Sequence, residues 1–159
     1  NGLIVGLDSL AKVIWSKDYI DNDPNEQFHF IRGIKLVSNE YLIAGRITSP
    51  TDPSLNEPVL VRIDDQGNLV WSKRLGIDPA IDNNPLFQVQ ALCEGFNGET
   101  LVSGTIYGDL NANFAGQYGF IMKISPAGDQ VFSRLFILDE GTVNDLSGLF
   151  LKGNSICAG

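Results

Sequence analysis

The chain has 159 residues, a formal net charge of −8, 17 glycines and two cysteines. That length suits one domain with a sizeable core. The acidic balance disfavours nucleic acid and anionic membranes, which need clustered Lys and Arg, and two cysteines cannot be the main staple of a fold this size.

Residues 1–19 read as a hairpin. Leu3 to Leu7 is an apolar run, Asp8-Ser-Leu-Ala-Lys12 joins it to Val13-Ile-Trp-Ser-Lys17, and the composition favours strands. The chain begins at Asn1 with no visible signal peptide, which suggests a processed product or a fragment. No stretch is long enough to span a bilayer as a helix. Asp18 to Gln27 is a polar loop broken by Pro24. Within it, Asp21, Asp23 and Asn25 open like a calcium loop. The spacing then fails: Glu26 stands where the turn glycine belongs and Arg32 where the bidentate acid belongs. Solvated turn residues are the expected reading, and no metal or cofactor is expected.

Residues 28–48 form a second kind of hairpin with Ser38-Asn39 near its turn. His29, the only histidine, lies between Phe28 and Phe30. One histidine excludes a two-His metal site, and a Ser-His-Asp triad would rest on it alone. Thr48 to Pro58 carries three prolines and reads as a loop.

Val59 to Leu75 is the clearest hairpin. Leu60 and Arg62 point to one face, and Val59, Val61 and Ile63 to the other. Asp64-Asp-Gln-Gly-Asn68 supplies the turn, with Gly67 free to take a positive φ. This hairpin occurs three times. Trp15 matches Trp71 at an offset of 56, and Phe132 follows Trp71 at 61. The second kind of hairpin recurs as Ile34–Gly45, Ala91–Gly104 and Gly148–Gly159, closed by Gly45, Gly104 and Gly159. Asp78 to Pro85 and Tyr107 to Tyr118 are expected loops, and Asn97-Gly98 is a strong turn signal. No helical periodicity is sustained; the nearest candidate is Asp139 to Leu146.

Two alternating hairpins give four strands in roughly sixty residues, the content of a propeller blade. The expected fold is therefore all-β, a partial β-propeller of four-stranded antiparallel blades. Residues 1–19 are an outer half-blade, 28–75 and 87–136 full blades, and 143–159 an inner half-blade. Three blade equivalents are too few to close a ring, since rings start at about four blades. More sequence is the expected completion, and a homo-oligomer the alternative.

The Ala/Ser-Gly closures (Ala44-Gly45, Ser103-Gly104, Ala158-Gly159), then Phe120-Ile-Met-Lys-Ile-Ser-Pro-Ala-Gly-Asp129 and the Trp/Phe-Ser step, resemble the bacterial β-propeller repeat family. Those repeats occur in large secreted or surface proteins, many in Bacteroidetes with type IX secretion sorting domains. The resemblance covers nearly the whole chain and implies an extracellular or cell-surface location. Two features depart from it. The aromatic-Pro element is replaced by Thr48-Ser-Pro50 and Tyr107-Gly-Asp109, and the sorting domain is absent.

Trp15, Trp71 and Phe132 could form a ligand-stacking platform, but a residue recurring in register serves something each blade needs, so packing between blades is the expectation. Cys93 and Cys157 lie in different repeats and are expected to be buried free thiols. Asp64 and Asp65 sit in a repeat turn and are poor catalytic candidates. The strands repeat while loops 18–27, 49–58, 77–86 and 107–118 vary, so a protein or glycan partner is expected at the loops. The functional expectation is a non-catalytic binding or scaffold module. The alternatives are a propeller hydrolase or lyase using loop carboxylates, and a structural protomer of a larger assembly.

Overall fold

A computed structural model describes residues 2–19, 25–52, 56–76, 82–109, 115–136, 149–152 and 155–158. The possible helical turn at 139–146 and Gly159 lie outside them. The described residues form twelve strands: β1 (Gly2–Leu7), β2 (Val13–Tyr19), β3 (Gln27–Lys35), β4 (Tyr41–Thr48), β5 (Asn56–Ile63), β6 (Leu69–Arg74), β7 (Asp82–Glu94), β8 (Thr100–Asp109), β9 (Ala115–Ile124), β10 (Gln130–Phe136), β11 (Leu149–Lys152) and β12 (Ser155–Ala158). The only helical element among them is a 3₁₀ turn at Phe96–Gly98, inside a hairpin.

The strands make four antiparallel sheets. Two have four strands each, in the order β3-β4-β5-β6 and β7-β8-β9-β10; β1-β2 and β11-β12 are separate pairs. Each sheet is a simple meander, so every ladder closes over a short loop. The sheets stack in chain order. β1 lies against β3, β3 and β5 lie against β7, and β11 lies beside β7 and β8.

The turns explain why the hairpins form where they do. In β5–β6, Asp64 N–H donates to Asn68 O (2.9 Å) and Gly67 N–H to Asp64 O (3.1 Å). The same pair of bonds joins Asp8 with Lys12 and Ala11, and Ser125 with Asp129 and Gly128. The first side chain of each turn accepts backbone N–H groups: Asp8 Oδ1 from Leu10 and Lys12, Asp64 Oδ1 from Gln66 and Asn68, Ser125 Oγ from Asp129. The fourth residue is left-handed in all three, at φ +59 for Ala11, +76 for Gly67 and +88 for Gly128. Asn97-Gly98 takes positive φ at both positions, the geometry a two-residue hairpin turn requires.

Alternation along the strands gives the β3–β6 sheet two apolar faces. Val59, Val61 and Ile63 join Ile47 in one cluster, with Ile4, Trp15 and Tyr19 of the β1-β2 pair packed against it. Leu42, Ala44 and Leu60 join Val89, Val102, Ile106, Phe120 and Met122 of the next sheet in the other. A sheet covered on both faces explains why β5 is apolar at consecutive positions. Each fully buried Leu or Ile contributes about 2 kcal/mol, so these two interfaces carry most of the stability.

Two expected loops need correction. The loop over 107–118 is mostly strand, because β8 and β9 stay paired out to Asp109↔Ala115. Gly108 and Gly116 read as loop residues but face each other in that ladder, and ladder pairing outweighs local propensity. The loop over 77–86 also yields to strand, since β7 begins at Asp82. Pro85 lies in the register shift between Asp82 and Leu86, where no ladder N–H is demanded.

Candidate functional site

The recurring aromatics join adjacent sheets. Trp15 on β2 donates its indole N–H to Asp65 O (3.0 Å) in the β5–β6 turn. Trp71 on β6 donates to Pro126 O (3.1 Å) in the β9–β10 turn. Asp65 and Pro126 occupy one repeat position, so the same bond is made twice. The rings also lie on the turn glycines: a Cβ at Gly67 would meet Trp15 at 2.7 Å, and one at Gly128 would meet Trp71 at 3.1 Å. Each Trp is thus a knob seated on the next sheet's turn. Tyr19 adds to the first contact by donating to Gly67 O (2.6 Å). Burial, and secondarily the Asp64 carboxylate, push its phenol above the usual range. Phe132 holds the third copy of the position and is 39% exposed.

The second contact has an electrostatic part that sequence reasoning missed. Arg62 Nη1 donates to the same Pro126 O (2.8 Å), and its Nε to Glu40 Oε2 (3.0 Å). Nη2 pairs with the same carboxylate oxygen. Hydrogen bonds from Ser38 and Arg62 hold Glu40 below the usual carboxylate range. Lys123–Glu99 (2.6 Å) is the counterpart in the next sheet. The available signal was the basic residue recurring at 62 and 123, with an acid before β4 and β8.

Gly45 and Gly104 have one physical cause. Each stands beside an irregularity in its neighbour, between Phe30 and Arg32 or between Val89 and Ala91. A Cβ would lie 2.4 Å from His29 O at Gly45 and 2.0 Å from Gln88 O at Gly104. These glycines admit a close backbone approach, which excludes any side chain.

No protein-family model matches the sequence, and no curated protein is recognisably similar to it.

A cleft of about 390 Å³ opens between β1 and the start of the β3–β6 sheet. Ile4, Val5, Leu7, Trp15 and Ile43 make it largely apolar, and Lys35, Tyr41 and Asp65 are its polar members. Lys35 Nζ sits 6.0 Å above the Tyr41 ring, within cation–π range. Among the described residues its lining holds one carboxylate, Asp65, whereas glycoside cleavage uses a converging pair.

The remaining candidates are dispersed. His29 Nε2 bonds Thr48 Oγ1 (2.9 Å) at the surface. Asp64 spends its carboxylate on its own turn; bonds from Asn68, then Gln66, lower its pKa. Asn25 is exposed in a turn, while Asp21 and Asp23 lie outside the described residues, and so does the calcium reading that needs them. Among the described residues, no three His, Cys, Asp or Glu side chains are grouped to hold a metal. Cys93 is a free thiol, but half-buried rather than core; burial, then Glu94, raise its pKa. Cys157 lies on β12, paired in register with Phe150.

Proposed function

We propose that this chain supplies blades of a β-propeller that serves as a non-catalytic binding or scaffold module of a secreted or cell-surface bacterial protein. The observation carrying this reading is the twice-made knob contact, Trp15 on Asp65 O and Trp71 on Pro126 O. A contact that repeats with the sequence period generates the same sheet-to-sheet step each time, and equal steps are how blades are arrayed. The adjacency of first strands, β3 against β7 and β7 against β11, supports a radial array with those strands innermost.

The recurring polar groups serve the frame. Asp64 holds its turn, Glu40 holds Arg62, and the indole N–H groups hold the next sheet. Recognition then falls to the connections between strands that vary between repeats, 20–26, 49–55, 77–81 and 110–114. Location rests on the resemblance alone. The test is to probe the purified chain against protein and glycan arrays, then replace residues 49–55, which precede β5, by Gly/Ser. The expected result is a bound partner lost in the replacement while the melting temperature stays. A chain that binds nothing and turns over glycosides or esters overturns the proposal.

A further inference from the structure

Positions that recur serve the frame, so a residue that departs from its own repeat equivalent is free to serve something else. Arg46 on β4 is one. Its equivalent on β8 is Thr105, by the offset of 59 that relates Gly45 to Gly104. His29 and Arg32 on β3 likewise stand where β7 has Gln88 and Ala91. The ladder gathers these three. His29 is directly opposite Arg46, and Arg32 is opposite Ala44, two residues from Arg46 and so on the same face. Ala44 belongs to the cluster shared with the β7–β10 sheet, so the three side chains lie on that side.

The acids nearest in register are turned away. Glu57 is opposite Ile47, and Glu26 immediately precedes β3. They pair with Arg74 at 2.9 and 2.5 Å, and Arg74 is opposite Val59 on the other face. Arg62, Lys73 and Lys123 each hold an acid. Among the described residues, Arg32 and Arg46 have no hydrogen bond or ion pair. Arg32 is exposed, but Arg46 is half-buried on a central strand, where a cation without a counter-ion costs desolvation. Neutral polar groups adjoin them. His29 Nε2 bonds Thr48 Oγ1 (2.9 Å), and exposed Gln27 is opposite Thr48. These are the last rungs before the connections at 20–26 and 49–55, two of the segments that vary between repeats.

We infer that this end of the β3–β6 sheet binds an acidic saccharide, with Arg46 and Arg32 taking its carboxylate and Gln27 and Thr48 meeting its hydroxyl groups. This names the ligand class of the binding reading above and rests on it. A guanidinium fork matches a planar carboxylate, and neutral amide and hydroxyl groups beside it match sugar hydroxyls. An inorganic anion would leave those neutral groups unused. An extended peptide added to a sheet is held by main-chain bonds along an edge, whereas these are side chains on a face. The net charge of −8 disfavours nucleic acid.

The experiment is calorimetric titration of the 159-residue chain with a galacturonic acid trimer, its methyl ester and a glutamate trimer. The ester keeps every hydroxyl and loses the charge. The uronate is expected to bind, and the ester and the peptide to bind at least about tenfold more weakly, as loss of a charge-assisted pair requires. Arg46→Met keeps the aliphatic stem, so the melting temperature should hold while uronate affinity falls at least about tenfold. Arg32→Gln, at an exposed position, should give a similar loss, and Arg134→Gln on β10 none. No uronate binding, equal affinity for the ester or the peptide, or binding indifferent to both the Arg46 and Arg32 variants overturns the proposal. The arrays separate this failure from that of the binding reading. A partner still lost on replacing residues 49–55 removes only the ligand class, whereas a chain that binds nothing and cleaves glycosides or esters removes both.

Discussion

Trp71 is half-buried, yet it holds two sheets together through one N–H and one ring face. Trp71→Phe keeps much of the ring and loses the bond to Pro126 O, so it should cost about 1 kcal/mol in urea unfolding. Trp71→Ala also loses the area and leaves a gap over Gly128, and should cost about 3 kcal/mol. A ligand-stacking role would instead leave stability unchanged in both. Ala11 offers the opposite case, since its φ of +59 strains any residue with a Cβ. Ala11→Gly should stabilise the monomer by about 0.5–1 kcal/mol in the same assay. Gly67→Ala adds strain at φ +76 and a 2.7 Å clash with Trp15, and should cost about 2 kcal/mol or more.

Among the elements, the β7–β8 hairpin depends on the close approach of Gln88 O to Gly104. The obstacle is backbone in a central ladder and cannot swing away, so Gly104→Ala should cost about 2–3 kcal/mol. Retention of full stability by this variant would remove the explanation for the recurring Ala/Ser-Gly closures. The turn and its neighbour also make the hairpins pH-sensitive. Glu40 and Asp64 both have folded pKa values below their ordinary ones, 4.5 and 3.8. A carboxylate with a depressed folded pKa contributes stability above its unfolded pKa and loses it as pH falls through the folded one. The melting temperature should therefore hold near neutrality and fall once pH drops below about 4.5. Glu40→Gln should flatten that fall, with Arg62 keeping its bond to Pro126 O. An unchanged acid limb in this variant would assign the loss to other carboxylates.

Taken whole, the described residues form a row of sheets whose main contacts run between neighbours. Such arrays unfold from their ends, where one face is uncovered. Native-state hydrogen exchange should be slowest in β4, β5, β8 and β9, which are central in their sheets and hold the fully buried residues. It should be fastest in β1 and β2, whose outward face is Leu3, Val5 and Leu7. Uniform protection across all strands would contradict the row and favour a single undivided core.

The sequence alone determined the hairpins, their turns and the grouping of strands into sheets of four, because strand alternation and turn chemistry act over a few residues. Asp64, Gly67 and Gly128 were legible for that reason, and so was the period that set Trp15 beside Trp71 and Phe132. What Trp15 and Trp71 touch, why Gly104 tolerates no side chain, how far β8 and β9 extend, and the Arg62–Glu40 pair were decided only by tertiary structure. Those outcomes join atoms far apart in the chain, and a packed neighbour sets their energy, which no local pattern encodes.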